Sequence, residues 1–402
     1  MFRMVTIDYL YQVSNRKISM VSLDYKRPLY YKINWDNRLI GIRGPKGVGK
    51  STLLLQHIKE TFADRSKVLY VSLDNIWFSS NNLIDLVEYH YTHGGTHIFI
   101  DEVHKYKQWQ DVIKNIYDDY PDLHIVYTGS SMLKIKAADG DLSRRLRSYE
   151  LNGLSFREYL AFDGVRNYPV MTLDSILANH VSLASDITSE IKILPCFERY
   201  LSSGYYPFYK EEGDGYLSRV QEVVTQTIDN DIPAVEDVEY ETLQKLKKLL
   251  MILAVQVPFI PKMNELYQEL QTSREQGLKL LDILEKASLI AMLKSPVKAL
   301  KHISAPEKLY LDNTNTMYAL SDNVQVGTIR ETFFMNQLSR SHIVSLPSKG
   351  DFKIDGNYLF EVGGRKKSFE QIKDEPNSFL AVDSVETGNG NKIPLWLFGF
   401  LD

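Results

Sequence analysis

The run Arg43-Gly44-Pro45-Lys46-Gly47-Val48-Gly49-Lys50-Ser51-Thr52 constrains this chain more than any other. It fits G-x-x-x-x-G-K-[ST], with Gly44, Gly49, Lys50 and Ser51 in the defining positions. The apolar stretch Leu39-Ile40-Gly41-Ile42 precedes it, and the helix-like run Thr52-Leu53-Leu54-Leu55-Gln56-His57-Ile58 follows. A loop between a strand and a helix is therefore expected. Three glycines let the backbone turn tightly, so that successive N–H groups converge on phosphate oxygens at the positive end of the helix. Every residue from Gly44 to Thr52 is a candidate for that cradle. Lys50 is expected to reach the β- and γ-phosphates of a nucleotide, and the Ser51 hydroxyl to bind its Mg²⁺.

The 402 residues allow two to four domains and at least one sizeable core. With 47 basic against 51 acidic residues the net charge is −4, so no global basic field marks a nucleic-acid protein. A single cysteine, Cys196, excludes an internal disulfide framework and a cysteine-based zinc cluster. No run is long enough to span a bilayer and the first residues lack a signal-peptide core, so a cytoplasmic protein without membrane contact is expected.

Around the loop, strand-like and helix-like stretches alternate. Residues 6–18 predict a short helix and 27–33 an extended segment. Strands are expected at 67–74, 96–102, 123–131 and 148–151, with helices at 81–91 and 109–117 between them. Strands that are apolar throughout argue a parallel sheet covered on both faces, an α/β fold of the P-loop NTPase kind. The second of these strands ends in Asp101-Glu102. An aspartate there suits the Mg²⁺ hydration shell, and the adjacent glutamate suits activation of water against the γ-phosphate. Thr128 and Ser130, with Ser131, fall at the end of the next strand, where a polar group can sense that phosphate. Arg144 and Arg145 are candidates for an arginine finger reaching a neighbouring subunit's nucleotide.

Taken together, Gly44-Pro45-Lys46-Gly47-Val48-Gly49-Lys50-Ser51, Ile98-Phe99-Ile100-Asp101-Glu102, Thr128-Gly129-Ser130-Ser131 and Leu154-Ser155-Phe156-Arg157-Glu158-Tyr159-Leu160 resemble the prokaryotic AAA+ ATPases that carry a C-terminal domain of unknown function. The likeness runs from about residue 30 to the C-terminus. It takes in Leu359-Phe360-Glu361-Val362-Gly363-Gly364 and Ile393-Pro394-Leu395-Trp396-Leu397-Phe398-Gly399-Phe400. The resemblance implies ATP rather than GTP, hydrolysis assisted by Mg²⁺, and a homo-oligomer or a protein partner. One departure bears on hydrolysis: Thr128-Gly129-Ser130-Ser131 stands where the family's sensor is an asparagine.

Residues 1–37 are expected as a lead-in, 38–154 as the ATPase core and 155–232 as a helical lid. Residues 233–312 give three helices, a strand, a basic tip (Lys294, Lys298, Lys301, His302) and a return strand, the order of a winged helix. DNA is the partner such a module brings into view. Its third helix, however, sets Arg274, Lys279 and Lys286 against Glu275, Asp282 and Glu285, a poor balance for phosphate affinity. Residues 313–402, with Glu331, Asp351, Asp355 and Glu361, resemble a PD-(D/E)XK nuclease. Glu361-x-Gly363 puts glycine where that site needs lysine, and a segment that has lost cleavage is expected.

Overall fold

The computed structural model describes residues 6–134, 144–256, 262–296 and 305–401. It divides into two compact units, one of Met1–Asn152 with Asp229–Asp237, the other of Gly153–Ile228 with Val238–Asp402. Among the described residues no helix is long and apolar enough to cross a membrane.

In the first unit the described strands are β1 (Leu39–Arg43), β2 (Val68–Ser72), β3 (His97–Asp101), β4 (His124–Gly129) and β5 (Arg147–Glu150). They form one sheet in the order β2-β3-β4-β1-β5, with every neighbouring pair parallel. Ile40, Ile42, Leu69, Ile98, Phe99, Ile100 and Ile125 are fully buried, as strands apolar on both faces require. The order places β4 between the loop strand β1 and the acid-ended strand β3. The carboxyl ends of all three therefore meet at one edge, with Arg43 opposite Gly129 and Ile100 opposite Tyr127.

The segment 27–33, expected to be extended, contains a helical turn instead, Leu29–Lys32. Pro28 stands before it at φ −52°, a ring-fixed angle that starts a helix. A second difference concerns the lid expected to run to residue 232. Its end leaves the helix Tyr216–Gln226 through a π-turn, Thr227–Asp231, and residues 229–237 are part of the first unit.

In the second unit the helices Tyr240–Gln256, Met263–Glu269 and Arg274–Lys286 precede an antiparallel pair, β6 (Ile290–Leu293) and β7 (Lys308–Leu311). Lys298, Lys301 and His302 of the expected basic tip lie outside the described residues. A second sheet, ordered β12-β11-β10-β9-β8, joins β8 (Val344–Ser345), β9 (Phe352–Ile354), β10 (Tyr358–Gly363), β11 (Ser378–Val382) and β12 (Lys392–Pro394). Phe334 packs against Phe352, Phe360 and Phe398 with ring centroids 4.9–5.2 Å apart and anchors that sheet to the helix Val326–Leu338.

Candidate nucleotide site

The glycine-rich run turns directly off β1 and ends where the helix Lys50–Thr61 begins. Gly47 and Gly49 take φ of 83° and 96°, the left-handed region that a Cβ disfavours. Gly44 is required for another reason: a Cβ there would lie 2.0 Å from the Leu151 carbonyl oxygen. Val48 is buried, and its carbonyl accepts a hydrogen bond from the Arg27 guanidinium at 3.1 Å. Thr52 is exposed on the first helical turn.

Lys50 is only 6% exposed. Its ammonium folds back on the loop and donates to the Gly44 and Pro45 carbonyls, at 2.8 Å each. Burial pulls its pKa below the ordinary lysine value, against the opposing pull of Glu102, Asp101 and Asp231. A buried cation held on carbonyls at a helix N-terminus is a receptor for anions.

Asp101, at the end of β3, collects three hydroxyls. Ser51 donates to its Oδ2 at 2.5 Å and Tyr70 to the same oxygen at 2.6 Å, while Thr128 donates to Oδ1. Thr128 also accepts the Glu102 backbone N–H at 3.1 Å, so the end of β4 ties both acids together. Burial, then the Asp101 charge, raises the Tyr70 pKa far above the usual phenol range and keeps that hydroxyl a donor. Tyr70 gives no sign of this role in sequence, since it lies within an apolar strand on the far side of β3.

Glu102 turns the chain at φ 58° into the short helix Val103–Lys105. Its side chain is 20% exposed, and its Oε2 lies 3.3 Å from His104 Nε2. The same nitrogen lies 3.5 Å from Asp231 Oδ1. Asp231 comes from the π-turn segment and is 2% exposed. It pairs with Lys105 at 2.6 Å and with Lys46 of the loop at 3.6 Å. Burial raises the Asp231 pKa, but the His104 and Lys105 side chains beside it outweigh that and hold it well below the usual carboxylate range. His104 could have been noticed two positions after Glu102. Asp231 could not, because no local pattern ties it to the loop.

Not every candidate joins this cluster. The Ser130 backbone N–H donates to His104 Nδ1 at 3.3 Å, while its hydroxyl serves the Met132 N–H. Arg144 is exposed, and Arg145 pairs with Asp118 at 3.2 Å. Both precede β5 and so lie at the amino edge of the parallel sheet, opposite the loop of their own chain.

The donor set fits Mg²⁺ and a triphosphate. Mg²⁺ takes hard oxygens and is usually held by one or two protein groups plus phosphates, and Ser51 and Asp101 offer such a pair.

A separate acidic cluster lies within the second unit. Lys308 Nζ is 3.4 Å from both Glu331 and Asp351, and Tyr310 donates to Glu331 at 2.6 Å. Lys367 Nζ meets Glu361 at 2.6 Å, and its stem lies across Gly363, where an added Cβ would stand 2.5 Å from Lys367 Cγ. Lys367 thus closes on Glu361, and Gly363 makes room for its stem. Asp355 stands apart, accepting from the Ile343 N–H at 2.8 Å and pairing with His342 at 2.7 Å. Among the described residues no group of three or more His, Cys, Asp or Glu is arranged to hold a metal ion.

Residues 36–160 match the family model described as AAA domain, and residues 195–325 match a domain of unknown function, DUF8612. An uncharacterized protein of Methanocaldococcus jannaschii is 27% identical over 397 residues, which cover 90% of this chain and 83% of that one. A katanin structure, titled for its self-assembly, is similar at 16% identity and a TM-score of 0.26, covering 40% of this chain and 57% of that one. AMPPCP-bound DnaA from Aquifex aeolicus is similar at 15% identity and a TM-score of 0.26, covering 71% and 89%.

Proposed function

We infer that the chain, whose residues 36–160 match the family model described as AAA domain, binds ATP with Mg²⁺ at the 44–52 loop and hydrolyses it to ADP and phosphate. The observation that carries this reading is the division of labour between two adjacent acids. Asp101 is buried with both oxygens committed to hydroxyls, whereas Glu102 is part-exposed and, among the described residues, meets only His104, at 3.3 Å. Glu102 takes a proton from water as the water oxygen attacks the γ-phosphorus; the bond to the β-phosphate oxygen breaks, and its electron pair leaves with ADP. Ser51 and Asp101 would hold Mg²⁺, which would supply neutralising charge on the phosphate oxygens. Lys50 supplies a second, fixed cation, and Thr128 keeps the two acids in register. Arg144 or Arg145 would act only on a neighbouring subunit's nucleotide, given their place on the sheet.

The product of this chemistry is a signal to the rest of the chain. Residues 229–237 belong to the nucleotide unit, yet the chain enters and leaves them from the other unit. Hydrolysis is read as the means of switching those later domains. A binding module with little turnover is the second reading, favoured by Thr128 standing in the asparagine position. Phosphate release by the purified chain, compared with Glu102→Gln, separates the two. We expect a fall of about 100-fold or more, the usual worth of a positioned base, with ATP binding retained. Equal release by both proteins would overturn the enzyme reading.

A further inference from the structure

His104 is a buried side chain, 2% exposed, whose ring sits between two carboxylates from distant parts of the sequence. Its protonation pattern follows from its neighbours. The Ser130 backbone N–H can only donate, so Nδ1 must present a lone pair to it and the ring proton lies on Nε2. That single N–H is directed at the gap between Glu102 Oε2, 3.3 Å away, and Asp231 Oδ1, 3.5 Å away, and forms an in-line hydrogen bond with neither. A buried donor in that position draws in whichever acceptor is free to move. Asp231 is not free, being held by Lys105 at 2.6 Å and flanked by Lys46. Glu102 is, with a side chain 20% exposed and no other ion pair among the described residues.

We propose that His104 is a positioning residue for hydrolysis: its Nε2–H holds one oxygen of Glu102 and leaves the other facing the attacking water, while Asp231 stands beside the same nitrogen and the Ser130 N–H fixes the ring at Nδ1. This rests on the reading of Glu102 as the base. It also gives the segment 229–237 a direct line to the chemistry. A shift of Asp231 changes how the imidazole is held, and the imidazole sets the carboxylate that must accept the proton. Asp231 also touches the 44–52 loop through Lys46, so loop and base share one anchor.

The test uses the full chain. His104→Phe keeps a ring without the N–H, and His104→Gln keeps an N–H of similar reach with a carbonyl able to serve Ser130. We expect His104→Phe to lower kcat for phosphate release about tenfold or more, as loss of a group that orients a catalytic side chain does, with the KM for ATP within about twofold. His104→Gln should recover most of the loss. In a Glu102→Gln background, His104→Phe should cost nothing further, since it acts through the missing carboxylate. Equal kcat for the wild type and His104→Phe, or a loss that adds fully to that of Glu102→Gln, overturns the proposal.

The second readout is independent of turnover. In ¹⁵N spectra the His104 resonances, identified among nine histidines by their absence in His104→Gln, should show the Nε2–H tautomer. The Nε2 resonance should move in both Glu102→Gln and Asp231→Asn. An Nδ1–H ring, or a resonance unmoved by either change, overturns the proposal even if His104→Phe fails to fold. If Glu102→Gln releases phosphate as fast as wild type while the ring still responds to it, the base assignment has failed and the contact has not.

Discussion

At the residue scale the site turns on where each charge is allowed to rest. Lys50 has been taken out of water and given two carbonyls, neutral partners that stabilise an ammonium less than an anion would. A triphosphate offers it a charged partner at the same helix end. Lys50→Ala is therefore expected to weaken ATP binding by about 10- to 100-fold, the worth of hydrogen bonds to a charged group. The far-ultraviolet circular dichroism should be unchanged, since no charged partner is orphaned by the loss. Titration calorimetry showing undiminished affinity would remove Lys50 from the site. The grouping of Lys50, Ser51, Asp101 and Glu102 was open to reading from spacing, because the loop and the strand end are local. Tyr70 was not: its hydroxyl matters only because β2 lies beside β3.

At the scale of elements, the strand order does the assembly. Placing β4 between β1 and β3 brings Thr128 against Asp101 and Glu102, and pairing β5 with the other side of β1 brings Gly44 against Leu151. The clash distance of 2.0 Å at Gly44 is to a backbone oxygen, which cannot swing aside as a side-chain tip can. Gly44→Ala is expected to destabilise the first unit by about 1–3 kcal/mol, the usual cost of forcing atoms into filled space. The urea midpoint should fall accordingly, and an unchanged midpoint would mean that β1 and β5 are less tightly set than the structure has them. The alternating apolar strands made the parallel sheet readable from the sequence. The tyrosines at 30 and 31 favour a strand, but Pro28 fixes the first angle of a helix and Leu29–Lys32 turns helically.

Across the whole molecule, two acidic clusters on different units have opposite characters. In the first, Glu102 has no close lysine or arginine partner among the described residues. In the second, Glu331 and Asp351 share Lys308, and Glu361 is closed by Lys367. That pairing, not the glycine at 363, is the reason to expect no cleavage: supercoiled plasmid should remain intact with the protein in Mg²⁺. Nicking that disappears on Glu361→Ala would reverse the assignment. Alone, the order of amino acids determined the glycine-rich loop, the lysine and serine that close it, the paired acids and the apolar strands of the sheet, because each is set by residues near one another along the chain. Only the tertiary structure decided that Asp231 would stand between Lys46, Lys105 and His104, that Tyr70 would serve Asp101, and that Lys367 would cross Gly363. Those contacts join positions that no periodicity links. They arise where buried charges must find partners, and the partners are whatever the fold has brought within reach.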